Sequence, residues 1–142
     1  MRKGTKWLCL AVLWATGAAG QVAVIAHKDV PLDTLSRAQL LDFYSCEVRH
    51  WSKELAVTVV DLKPQTEAKA AFYKFLGITV SRMKSLWLKK MLMGEGEPPV
   101  ALKSEAEVLK AIATTPGALG FVSLDSSHQQ VKTLIRIANE EH

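Results

Sequence analysis

Thr115-Pro116-Gly117-Ala118-Leu119-Gly120-Phe121-Val122 is the stretch on which the reading of this chain turns. Pro116 fixes its own φ, and Gly117 can take a positive φ, so the pair reverses the chain after a helix. A strand is expected over residues 119–123, with Phe121 and Val122 entering a sheet. Gly120 inside that strand lets a neighbouring backbone, or a ligand, come close. Fold architecture is the simpler account of that glycine.

Working backward from this turn, Ser104 with Glu107 forms a capping-box pattern that opens a helix with Val108, Leu109 and Ile112 inside. Gly94 to Pro99 reads as a turn. Ser81 is expected to begin a helix running to about Met93, with Met83, Leu86, Trp87 and Met91 buried. Ahead of it, Ala68, Ala71, Phe72, Phe75 and Leu76 fall at i, i+3, i+4, i+7 and i+8, one apolar stripe, and Gly77 ends that helix. Val57 to Leu62 reads as a strand closed by Pro64. Ser36 with Gln39 is a further capping box, ahead of Leu40, Leu41 and Tyr44. Val22 to Ala26 is a continuous apolar, β-branched run of the kind covered on both faces. Beyond the opening motif, Val131 to Ile137 is expected as a last strand with Val131, Thr133, Ile135 and Ile137 on one face. Strands alternating with helices predict an α/β sheet with helices over its faces. No repeat or linker interrupts the pattern, so residues 21–142 read as one domain.

The start of the chain has a different character. Arg2, Lys3 and Lys6 precede an apolar run from Trp7 to Trp14 and a small-residue stretch from Ala15 to Gly20. This is the pattern of a secretory signal over residues 1–20, cleaved before Gln21 with Ala18 and Gly20 as the small residues of the cleavage site. A membrane span needs about 20 apolar residues, more than twice this run. Cys9 lies inside the apolar run, with Trp7 and Leu8 ahead of it, which is unsuited to lipid attachment. The chain of 142 residues holds 18 basic and 14 acidic residues, a net of +4. Three of those basic residues and none of the acidic ones belong to the signal, so residues 21–142 carry only +1. A nucleic-acid partner is not expected on that balance. Cys46, the remaining cysteine, reads as a small buried apolar residue.

Catalytic constellations are not apparent. His27, His50, His128 and His142 are not spaced with one another or with Cys46 as metal ligands are. Ser36, Cys46 and His50 do not make a nucleophilic centre: Ser36 is explained as a cap, and nothing in the sequence marks an activating base for Cys46. Glu95 and Glu97 flank Gly96 in a turn and read as solvated. Lys84, Lys89 and Lys90 lie on one helix beside Leu88 and Met91–Met93, a basic amphipathic pattern whose simplest account is a solvated outer face. No enzyme activity, metal or cofactor is expected.

Taken in order, several of these segments resemble the phosphate-type substrate-binding proteins of bacterial ABC transporters. They are Leu35-Ser36, Leu40-Leu41, Phe43 and Trp51, then Phe72-Tyr73-Lys74-Phe75-Leu76-Gly77, then Trp87 with Gly94, Gly96 and Pro98-Pro99, and finally Thr115 to Val122. The last is similar to the T-P-G-A-I-G-Y-V signature of that family. The resemblance spans about Val22 to Ser123. It implies the fold of a single type 2 periplasmic-binding-protein lobe, a mixed sheet flanked by helices. It also implies a periplasmic location, non-covalent binding of phosphate or another oxyanion, and an ABC transporter permease or other envelope protein as partner. Aligned with the family's second phosphate element, an arginine followed by Ser-Gly-Thr at a helix start, this chain places Leu62, Thr66, Glu67 and Ala68. The candidate ligand-binding residues are therefore Lys63, Gln65 and Thr66, where a helix start offers N–H groups and Lys63 supplies charge. The alternative function is a ligand-free interaction, accessory or sensor module of the cell envelope on the same fold. It is favoured by the Leu62–Ala68 departures. The sequence leaves the oligomeric state open.

Overall fold

The computed structural model describes residues 21–124 and 130–138. The predicted signal over residues 1–20 lies outside the described residues, as do His128 and His142. The apolar run forms β1 (Val22–Ala26), in which every residue is fully buried. Then come α1 (Arg37–Tyr44), a small hairpin of β2 (His50–Ser52) and β3 (Leu55–Ala56), and β4 (Thr58–Leu62). Next are α2 (Glu67–Leu76), α3 (Val80–Leu92), β5 (Val100–Leu102), α4 (Glu105–Thr114), β6 (Ala118–Ser123) and β7 (Lys132–Ile137). Five strands make one mixed sheet in the order β5-β4-β6-β1-β7. β4 runs parallel to both β5 and β6, and β1 runs antiparallel to β6 and β7.

Two adjacent residues of β6 show how helices cover both faces, because successive side chains of a strand point to opposite sides. Phe121 stacks on Phe72 of α2, with ring centroids 4.0 Å apart and an interplanar angle of 11°. A Cβ on Gly120 would lie 2.6 Å from Cδ1 of Ile112 on α4. What comes close to Gly120 is therefore a helix side chain, which is the architectural explanation. Gly117 adopts φ +81°, and a side chain there would collide with the Ala56 carbonyl. Its own carbonyl accepts from Thr58 N–H at 3.1 Å and from the Trp51 indole N–H at 2.8 Å, which ties the turn to the hairpin. Trp51 also packs on Phe43, centroids 4.4 Å apart.

The structure corrects the sequence reading at several points. Both halves of the Ser36 capping box form, at 2.9 and 3.1 Å. At Ser104 only the cap itself forms, while the Glu107 carboxylate accepts from Lys103 N–H. α3 starts at Val80, one residue earlier than the Ser81 start expected, because Thr79 caps it, accepting from Arg82 N–H at 3.1 Å. Met83 and Trp87 are buried as expected, and the Trp87 indole N–H donates to the Tyr44 carbonyl at 2.7 Å. Leu86 is half-buried, and Met91 is exposed. In α2 the buried stripe is Ala68, Lys69, Phe72, Tyr73 and Leu76, with Ala71 and Phe75 only half-buried. In β7 the expected alternation fails because the register against β1 shifts between Val24 and Ile25, leaving Leu134 between paired residues. Such a bulge turns an extra side chain inward, so Leu134 is buried while Thr133 and Ile135 are half-buried. The hairpin and β5, at two and three residues per strand, were too short for a periodic signal.

Candidate functional site

β4 ends at Leu62, and its carboxyl end leads through Lys63, Pro64 and Gln65 to the start of α2. In open α/β sheets this is the end of a strand where ligands are commonly received. Lys63 and Gln65 are exposed, and Thr66 is half-buried. Thr66 has extended backbone (φ −108°, ψ 167°) and caps α2, its hydroxyl oxygen accepting from Lys69 N–H at 3.1 Å. The hydroxyl hydrogen is left for another acceptor, and the first-turn N–H groups carry partial positive charge. Lys63 is anchored through its backbone N–H, which donates to the Leu102 carbonyl at 2.7 Å and ties the turn to β5. Glu67 is exposed in the same first turn and sets a negative charge among those donors.

Beneath this turn lies a buried polar cluster that the sequence reading missed. Asp61 and Lys69 are 5% and 4% exposed. The Lys69 ammonium donates to the Leu62 carbonyl at 2.7 Å and stands 3.9 Å from Asp61 Oδ2. Hydrogen bonds reach the carboxylate from Leu62 N–H, 2.8 Å from Oδ1, and from the Tyr73 hydroxyl, 2.9 Å from Oδ2. Burial, reinforced by the Asp61 carboxylate, pushes the Tyr73 phenol well above its ordinary value. Tyr44 is raised in the same way, first by burial and then by Asp61 and Tyr73, and its hydroxyl donates to the Val60 carbonyl at 2.8 Å. Both phenols are thus held protonated as donors. A lone aspartate in an apolar strand and a lysine on the inward stripe of α2 were the available signals. Burial of charge demands such partners.

The Lys69 charge is accordingly engaged by Asp61 and Leu62, and the charge available to an incoming anion at this turn is that of Lys63. A cavity of about 520 Å³ lies elsewhere, by the start of β4, lined in part by Cys46, Arg49, Val57, Met91, Glu97 and Val100. Cys46 donates to the Glu97 carbonyl at 3.3 Å, and burial pushes its thiol up, against the lowering effects of Lys90, that hydrogen bond and Arg49. Burial thus disfavours the thiolate, the form that acts as a nucleophile. Lys63, Gln65 and Thr66 are not among the residues lining this cavity. Among the described residues no group of three or more His, Cys, Asp or Glu side chains could hold a metal ion, and no helix is long and apolar enough to cross a membrane.

No protein-family model matches the chain, and neither does any curated protein. Solved structures do. A substrate-binding protein assigned to phosphate ABC transport, with bound phosphate, from Clostridium perfringens superposes with a TM-score of 0.65 at 16% identity, covering 80% of this chain and 43% of that one. An ABC-type phosphate transport receptor from Vibrio cholerae gives 0.62 at 18% identity, with 80% and 44% covered. PstS from Borrelia burgdorferi gives 0.60 at 12%, with 80% and 46% covered. The chain spans less than half the length of these proteins. Over that span it has the fold of phosphate-transport substrate-binding proteins, a mixed sheet flanked by helices.

Proposed function

We propose that this chain is an exported solute-binding protein that holds an oxyanion of the phosphate class non-covalently at the turn from Lys63 to Thr66. The observation that carries this reading is the junction of β4 and α2. There exposed Lys63 stands three residues ahead of Thr66, which caps a ten-residue helix whose first-turn N–H groups open at the carboxyl end of a sheet strand. Likeness of fold to a protein with bound phosphate supports the same ligand class. Secretion by a cleaved signal over residues 1–20, a periplasmic location and transfer of the ligand to an ABC permease belong to this reading. No catalytic step is part of it.

Titration calorimetry at low salt with phosphate and sulfate tests the site. Lys63→Ala and Thr66→Val each weaken binding, and Glu67→Gln tightens it, by about 1 kcal/mol for a partly exposed anion site. Binding of phosphate that none of the three changes alters places the ligand elsewhere. An intact mass beginning near Gln21 in periplasmic material checks export. A second reading, an accessory or sensor module without a ligand, is favoured by Glu67, which stands among the anion donors. Absence of oxyanion binding at millimolar concentration selects it.

A further inference from the structure

The outward face of α3 joins two features that a solvated helix seldom combines. Its C-terminal part and the cap residue that follows expose large apolar side chains: Leu88 is 53%, Met91 48%, Leu92 78% and Met93 56% accessible. The helix also carries Arg82, Lys84, Lys89 and Lys90 with no acidic residue. Lys90 is engaged by Glu47 at 2.9 Å and Glu95 at 3.4 Å. Arg82, Lys84 and Lys89 have no acidic partner within ion-pair distance among the described residues. At about 100° per residue, Leu88 and Leu92 lie along the middle of the exposed arc. Lys84 then falls on one flank, and Lys89 and Arg82 on the other. Met83 and Trp87 face the core on the opposite side. The second half of the helix is therefore apolar on two faces, and the inner one is covered by Met83 and Trp87 packing on the core.

We propose that this outer face docks on an anionic lipid surface. Leu88 and Leu92 enter the boundary of the acyl region, and Arg82, Lys84 and Lys89 extend along the helix flanks to the lipid phosphates. A protruding apolar row bracketed by long cationic side chains is the arrangement an interfacial helix uses. The small polar residues of the face add little shape for a protein partner to read, since the Ser85 hydroxyl turns back to the Ser81 carbonyl at 3.3 Å. A second copy of the chain fits poorly, because it would set three unpaired cations against three more. The inference uses none of the residues of the Lys63–Thr66 turn and stands apart from oxyanion binding.

A fluorophore sensitive to polarity, attached in the full chain at Leu92→Cys with Cys9→Ser and Cys46→Ser, reports on this face alone. A second label at Lys110→Cys on α4 serves as the reference position. With vesicles containing about one-third phosphatidylglycerol, emission at position 92 shifts to the blue and is quenched by nitroxide-bearing lipids, while position 110 responds to neither. Pure phosphatidylcholine leaves position 92 unchanged. Each cation near an anionic surface contributes roughly fivefold, so Arg82→Gln, Lys84→Gln and Lys89→Gln together weaken the response on the order of 100-fold. These residues are exposed, and an unchanged melting curve shows that the variant is folded. The proposal is overturned by a silent position 92 on phosphatidylglycerol vesicles, by an equal response at both positions, or by a response that survives loss of the three cations. A shift that grows with protein concentration in the absence of lipid also overturns it, in favour of a second copy.

Discussion

Asp61 is the acidic side chain that the inward face of β4 has to accommodate, and its neighbours are arranged for that task. It is held by a backbone N–H, the Tyr73 hydroxyl and the Lys69 ammonium, and Lys69 in turn reaches the Leu62 carbonyl. Removing one member of a buried pair leaves an uncompensated charge, which costs more than the pair contributes. Lys69→Met is therefore expected to destabilise the fold by about 3–5 kcal/mol. Adding Asp61→Asn removes the orphaned charge, and its single amide oxygen serves one of the two donors, so the double variant regains part of that loss. Urea unfolding of the two variants decides the matter. A loss under about 1 kcal/mol for Lys69→Met would mean that the ammonium escapes the interior when folded, as a long aliphatic stem permits.

At the scale of elements, α4 lies against β6 because Gly120 leaves room for Ile112, whose Cδ1 would stand 2.6 Å from a Cβ at that position. That atom is the far end of a side chain, and the helix can give slightly. Gly120→Ala is expected to cost about 1–3 kcal/mol through overpacking. Ile112→Val removes the colliding methyl, so the double variant is less destabilised than the sum of the two single changes. Additivity in this cycle would show that helix and strand do not meet at Gly120. α3 gives the contrasting case: periodicity placed Met91 inside, but it stays half exposed at the edge of the cavity, while its neighbour Lys90 meets Glu47 and Glu95. A helix with apolar residues nearly all round its last turn does not declare from its own period which side faces the sheet.

For the molecule as a whole, the chain's two tyrosines, Tyr44 and Tyr73, set a response to alkali. Both phenols have folded pKa values raised above 10.0 by burial first and by Asp61 after it. Below pH 10 the phenols are protonated in both states, and their contribution to stability is fully present. Above it the unfolded phenols release their protons while the folded ones retain them. Stability therefore falls as pH rises, by about 1.4 kcal/mol per pH unit for each group. The urea midpoint is expected to drop as pH rises above about 10, less steeply in Tyr73→Phe than in the parent. Equal slopes in the two proteins would show that the Tyr73 hydroxyl meets solvent.

The sequence alone carried the features that local chemistry dictates. The β1 run, the caps at Ser36 and Ser104, the turn at Pro116-Gly117 and the α/β alternation each rest on residues near one another in the chain. It also placed Lys63, Gln65 and Thr66 in one turn, since they are neighbours. Whether that turn stands over charge or over an apolar floor was decided by tertiary structure. Asp61 and Lys69 come together only when α2 folds back over the end of β4, and Trp51 finds the Gly117 carbonyl across 66 positions of sequence. The strand order β5-β4-β6-β1-β7 was settled at the same level, because pairing between distant strands depends on which faces can be buried together.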